Sequence, residues 1–157
     1  MDELKDIFER FDKRWALLTA GPLERHNSMT ISWGELGTLW GHKVATVYVK
    51  PARYTYSFME ANDYFVLSFF PEEYRAALGV MGSKSGRDID KDAAAKLTPI
   101  QHGEVTVYQE ANLTIVCKKI YWNDLDPAHI PDAEMQRYYT AQAPHRMYVG
   151  EVVEILQ

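Results

Sequence analysis

At 157 residues the chain has the length of one compact domain, and dividing it in two would leave neither half an adequate interior. Its apolar (46%) and charged (25%) fractions are those of a folded protein rather than a disordered one, and a formal charge of −5 argues against a general binder of nucleic acid or of acidic membranes. The 13% aromatic content, from 10 Tyr, 6 Phe and 4 Trp, exceeds what a small core needs and suits an aromatic-lined slot or a subunit interface.

In chain order, Leu4, Ile7, Phe8 and Phe11 follow helical spacing and predict a short amphipathic helix over residues 3–11. Trp15 to Ala20 reads as a strand stopped by Gly21-Pro22. From Asn27 to Trp33 the chain alternates, placing Asn27, Met29, Ile31 and Trp33 on one face and Ser28, Thr30 and Ser32 on the other. The glycine-punctuated stretch Gly34 to Gly41 reads as a loop or distorted edge, and Val44 to Val49 as a β-branched strand. Pro51 opens a helix bearing Tyr54, Phe58 and Ala61 and closed by Asn62-Asp63. Tyr64 to Phe70 is an apolar strand. After Pro71 comes a second short helix with Tyr74, Leu78 and Met81 on one face and Gly82 as its cap.

Residues 82–92 are polar and predict a loop, followed by an Ala-rich helix ending near Thr98-Pro99. Val105 to Tyr108, Leu113 to Trp122 and Met147 to Leu156 complete the strands, with a helix near Ala133 to Tyr139 inside the last long connection. Strands dispersed among short helices without βαβ alternation predict a mainly β fold with helical insertions, a partly open antiparallel barrel rather than a Rossmann sheet.

Several chemistries are excluded by spacing. Cys117 is the sole cysteine, so there is no intramolecular disulfide, cysteine zinc site or CxxC pair. Gly82-Ser-Lys-Ser-Gly86 has Lys84 where a nucleophile elbow needs serine, and Ser83 breaks a P-loop reading. The five histidines form no HExxH motif; Asp124, Asp126 and His129 read as a solvated turn, and no metal is expected. With a charged N-terminus and no long apolar run, the chain is expected in the cytoplasm, without membrane or nucleic-acid partners.

Four segments in order, Asn27-Ser-Met-Thr-Ile-Ser-Trp33-Gly, Pro51-Ala-Arg-Tyr-Thr-Tyr56, Ser85-Gly-Arg-Asp-Ile-Asp-Lys91 and His145-Arg-Met-Tyr-Val-Gly-Glu-Val152, resemble the flavin reductase and flavoredoxin family of FMN-binding split β-barrels. The resemblance implies one FMN per subunit, a homodimer with the flavin near the interface, and a reductase using NADH or NADPH. It also leaves open an electron carrier without nicotinamide activity; a barrel without flavin, serving as a binding module, is the further alternative.

By the same resemblance Asn27, Ser28, Met29 and Thr30 border the isoalloxazine ring with Trp33 close by, although the alternation equally describes a half-exposed strand with a polar face. Lys50, Arg53, Tyr54 and Thr55 surround the helix start after Pro51, where free N–H groups and an arginine suit a phosphate, or else cap the helix. Ser85, Arg87 and Lys91, with Lys84 as a weaker companion, lie on the loop that the family places near the flavin; an exposed loop has the same composition. His145 orients a nicotinamide or substrate, or is a surface histidine, and Ser68 sits beside the ring or is satisfied by its strand. No catalytic side chain is required, since the cofactor carries the chemistry.

Overall fold

The structure, a computed structural model, describes residues 2–157. Helix α1 (Asp2–Asp12) leaves Leu4, Ile7 and Phe8 exposed and docks through its last turn, where the buried Phe11 ring meets Phe69 edge-on at 5.6 Å. Strand β1 (Ala16–Ala20) is buried along its whole length between β2 (Asn27–Ile31) and β5 (Tyr64–Phe69). Between them in sequence lie β3 (Gly34–Leu39), β4 (His42–Val49) and helix α2 (Thr55–Ala61). Helices α3 (Arg75–Ser83) and α4 (Lys91–Ala95) follow, then β6 (Pro99–His102), β7 (Val105–Tyr108), β8 (Leu113–Asp124), α5 (Asp132–Tyr138) and β9 (Arg146–Leu156).

Seven strands form one antiparallel sheet in the order β2-β1-β5-β8-β9-β4-β3, which does not close and leaves β2 and β3 as its edges. β6 and β7 pair separately and pack Val105 and Val107 on Val66 and Val116 of the large sheet. Alternation on β1 feeds two interiors. Leu18 points into the main core with Met29, Val47, Phe65, Leu67, Cys117 and Tyr148, while Leu17 faces a second cluster with Leu78, Met81, Ala95, Leu97 and Tyr108. That second cluster fastens α3 and α4 over the β1–β2 edge.

The stretch expected to be a loop or distorted edge is instead the regular edge strand β3, in register with β4 from Gly34↔Val47 to Leu39↔His42. The connecting residues Trp40 and Gly41 both have positive φ, 53° and 78°, which is the backbone of a tight two-residue hairpin turn. The helix after Pro71 splits into a 3₁₀ turn (Glu72–Tyr74) and α3, and α3 runs through Gly82 to Ser83 rather than ending at that glycine. α4 stops at Ala95 because Lys96 turns left-handed, and Pro99 opens a strand that the Ala-rich pattern did not announce. No helix among the described residues is long and apolar enough to cross a membrane.

Candidate functional site

The residues on either side of Pro51 form turns, and α2 begins only at Thr55, with seven residues. Its N-terminus is too short to gather an anion by itself; the charged side chains around it set the character of the place. A cavity of about 290 Å³ is lined by Asn27, Tyr54 and Thr55 on one wall and by the α3–α4 connection on the other, and it contains Arg53, Lys84, Arg87 and Lys91 but no carboxylate. None of these four cations forms an ion pair among the described residues.

Arg53 donates to the Gly82 carbonyl (3.2 Å) and Lys91 to the Met81 carbonyl (2.9 Å), so both cap the C-terminal end of α3. Carbonyls carry only partial charge, and the two cations remain unneutralised beside each other. Burial, with Arg53 close by, pulls the Lys91 ammonium down to about 8, and burial lowers Arg53 as well. Arg87 lies over the Tyr54 ring at 4.9 Å, while Ser85 Oγ accepts from the Arg87 N–H and fixes the turn. Gly86 brings this loop against β2: a Cβ there would fall 2.2 Å from Asn27 Oδ1 and 3.2 Å from Tyr54 Cδ2. Asn27 in turn donates from Nδ2 to the buried Thr55 Oγ1 at 2.8 Å, which joins the β2 edge to the α2 start.

The hydroxyl face of β2 is not open. Ser28 Oγ is buried and bonded to Thr19 Oγ1 and the Tyr108 hydroxyl, both at 2.8 Å, and Thr30 Oγ1 donates to the Leu78 carbonyl beneath α3. Met29 points into the main core. As side chains, therefore, Ser28, Met29 and Thr30 are packing residues, because α3 and β7 need a small polar face to dock on. What β2 offers a ligand is its main chain, since it pairs only with β1 and keeps its outer edge outside the ladder. Ser68 is likewise fully buried, has no hydrogen-bond partner, and lines none of these cavities.

Lys50, Trp33 and His145 gather elsewhere, at an aromatic end. Trp33 meets Tyr138 edge-on at 5.0 Å and the His145 ring at 5.4 Å, and Tyr139 places its hydroxyl 2.7 Å from His145 Nδ1. Lys50 donates to the Tyr138 carbonyl and lies 5.3 Å from the Tyr139 ring centre, tying down the end of α5. Burial first, then the Lys50 and Arg53 charges, hold His145 down to about 4, so it is neutral at pH 7. Trp33, Leu125, Ile130, Pro131, Tyr138 and Tyr139, together with Asp126, His129 and Glu134, line an open, mainly apolar cleft of about 520 Å³. Beyond it Asp124 takes Arg146 rather than joining Asp126 and His129.

Residues 8–157 match the family described as flavin reductase like domain. The chain belongs to that family. Among solved structures, it is 21% identical to an FMN-binding protein from Thermus thermophilus crystallised with 1-cyclohex-2-enone, covering 91% of this chain and 69% of that one with a TM-score of 0.72. A flavoredoxin from Methanosarcina acetivorans is 16% identical (92% and 68% covered, TM-score 0.73), and an NADH:FAD oxidoreductase from Streptomyces globisporus is 12% identical (99% and 82% covered, TM-score 0.72). No curated protein matches. The open seven-stranded sheet with its separate hairpin is thus the split barrel of the flavin reductase-like fold.

In this flavin reductase-like chain, Asn27, Arg53, Tyr54, Thr55, Ser85, Arg87 and Lys91 line one cavity. Sequence reasoning missed Gly86, Tyr138 and Tyr139. Gly86 had a signal, a glycine inside a cationic loop; the two tyrosines come from an irregular connection whose path only the fold sets. The cation set fits an FMN phosphate: a dianion would neutralise charges that the protein leaves uncompensated, and an open strand edge lies beside them.

Proposed function

We propose that this chain binds FMN and works as a flavin reductase that takes reducing equivalents from NADH or NADPH and passes them to an acceptor. The observation that carries this reading is the carboxylate-free cavity in which the half-buried Arg53 and the buried Lys91 stand without ion-pair partners among the described residues. When bound there, FMN supplies the hydride-accepting and electron-passing chemistry.

The protein's own residues bind and orient. Arg53, Lys91 and Arg87 hold the phosphate, and Asn27 and Thr55, locked to each other, keep β2 and α2 at a fixed separation. The free edge of β2 offers main-chain donors and acceptors to the ring's heteroatoms. Trp33, Tyr138 and Tyr139 give an apolar wall against which a nicotinamide or acceptor ring is positioned, and neutral His145 serves there as a hydrogen-bonding group rather than a cation. The reading includes a homodimer: Trp40 is exposed and meets the exposed Tyr121 edge-on at 6.5 Å, an aromatic surface that a second copy would cover, and sedimentation would report it.

The test is the visible spectrum of the purified protein with added FMN, followed by anaerobic NADH or NADPH. A perturbed flavin spectrum that bleaches with either nicotinamide supports the whole reading. Perturbation with bleaching only by dithionite would make the protein an electron carrier, and an unperturbed spectrum would remove the flavin altogether.

A further inference from the structure

A continuous chain of hydrogen bonds crosses the molecule behind the cation cavity. Thr19 Oγ1, Ser28 Oγ and the Tyr108 hydroxyl follow one another at 2.8 Å, the Tyr108 hydroxyl donates to Asp92 Oδ1 at 2.6 Å, and Asp92 Oδ2 lies 2.6 Å from His26 Nε2. Each hydroxyl has one proton. Because Tyr108 gives its proton to Asp92, Ser28 donates to Tyr108 and Thr19 donates to Ser28, so the whole row points towards the carboxylate.

The protonation of His26 follows from its partners in the same way. Nδ1 sits 2.8 Å from the Leu23 carbonyl, which can only accept, and Nε2 faces an ionised carboxylate, which also only accepts. Both nitrogens therefore face acceptors, an arrangement that favours the protonated, cationic ring. Burial opposes this, but the contacts with Asp92 and Leu23 outweigh it and the pKa is raised. Asp92 forms its ion pair with His26 and none with its sequence neighbour Lys91, although its charge still reaches the Lys91 ammonium and offsets part of the lowering by burial and Arg53.

That matters because α4 is only five residues long, its start held by the Asp90 side chain accepting from the Ala93 N–H, so contacts from outside the helix add to the placement of its first turn. Lys91 and Asp92 are consecutive in that turn, and Lys91 reaches one way to the Met81 carbonyl while Asp92 reaches the other way to His26 and Tyr108. We propose that Asp92, gripped between His26 and Tyr108, is a positioning residue that fixes the Lys91 ammonium in the cation cavity. The role as cofactor positioning rests on the FMN reading above; the placement of Lys91 does not.

The experiment compares Asp92→Asn with Asp92→Ala. The amide keeps both contacts, accepting from Tyr108 and donating to a neutral His26, whereas alanine keeps neither. Lys91 is followed by the ¹³Cε NMR titration of the flavin-free protein; the charged or titratable groups facing it are Arg53, Lys84 and Arg87 in the cavity, Asp90 and Asp92 on its own turn, and Glu24, Arg25 and His26 in the adjoining cleft that Lys91 also lines. Wild type and Asp92→Asn are expected to titrate near or below about 8. In Asp92→Ala the ammonium leaves the cavity, its titration moves towards the ordinary lysine value of about 10.4, and FMN affinity falls at least about ten-fold.

If alanine lowers the melting temperature but leaves both the Lys91 titration and FMN affinity unchanged, Asp92 is merely structural and the proposal falls. It falls equally if both variants tighten FMN binding, which would make Asp92 a simple counter-charge. Should Asp92→Ala not fold, Tyr108→Phe removes one arm, and an unmoved Lys91 titration in that variant overturns the proposal. A wild type that ignores FMN would defeat the flavin reading alone, because the Lys91 titration is read without flavin.

Discussion

Arg146 and Arg53 carry the same guanidinium into opposite surroundings. Arg146 lies near the surface, bonded through Nε and a terminal nitrogen to Asp124 and through the other to Glu60 at 2.9 Å, and the Asp124 contact raises its pKa. Arg53 is more deeply placed, has one carbonyl for a partner, and is lowered by burial. Desolvating a cation without pairing it costs stability, so folding tolerates Arg53 and Lys91 side by side only because the surrounding packing imposes it. A paired charge fastens β8, β9 and α2 together; the unpaired charges lining the cavity are, on the function proposed above, what a ligand anion would meet.

The strongest way to break this contrast is to remove the charges that lack partners. Arg53→Ala and Lys91→Met are each expected to weaken FMN binding by about 100-fold, the scale of a lost charge-assisted contact, in a fluorescence-quenching titration. Unchanged affinity in both would show that the cavity is not an anion site. Next in size is the effect of ligand on stability: FMN at about 100 times its Kd should add about 2.7 kcal/mol and raise the melting temperature by about 5–10 °C in wild type, with no rise in Arg53→Ala.

The paired arginine should behave in the reverse manner. Arg146→Ala removes exposed ion pairs worth about 1 kcal/mol, lowering the melting temperature by about 2–4 °C while leaving FMN affinity alone. A large loss of flavin affinity there would erase the distinction between the two regions. The smallest effect is on pH. Lys91 has a folded pKa of about 8, and an anion favours its protonated form. Affinity is therefore full below about 8 and falls as pH rises through that value, and the fall should vanish in Lys91→Met.

Much of this was legible in the sequence, and the exceptions share a cause. Strands with β-branched or alternating residues, such as Val44 to Val49 and Asn27 to Ile31, declare themselves because their period matches the pleat. β3 did not, since Gly34, Gly37 and its polar neighbours leave an exposed edge strand with little pattern to read. At the site, the motif residues Arg53, Thr55, Ser85, Arg87 and Lys91 come from two separate segments and line one cavity. Resemblance set Ser28 and Thr30 beside a ring, while alternation shows only that two faces differ and not what covers either one. Here Tyr108 and Leu78 cover the hydroxyl face, from positions far along the chain. His26 and Asp92 were silent for the same reason, being 66 residues apart.

The most direct measurement compares FMN with riboflavin, which differ only in the phosphate, by equilibrium titration of wild type and Lys91→Met. Anchorage by the Arg53–Lys91 cavity requires wild type to prefer FMN by about 100-fold and the variant to lose most of that preference. Equal affinity for the two flavins in wild type would contradict it.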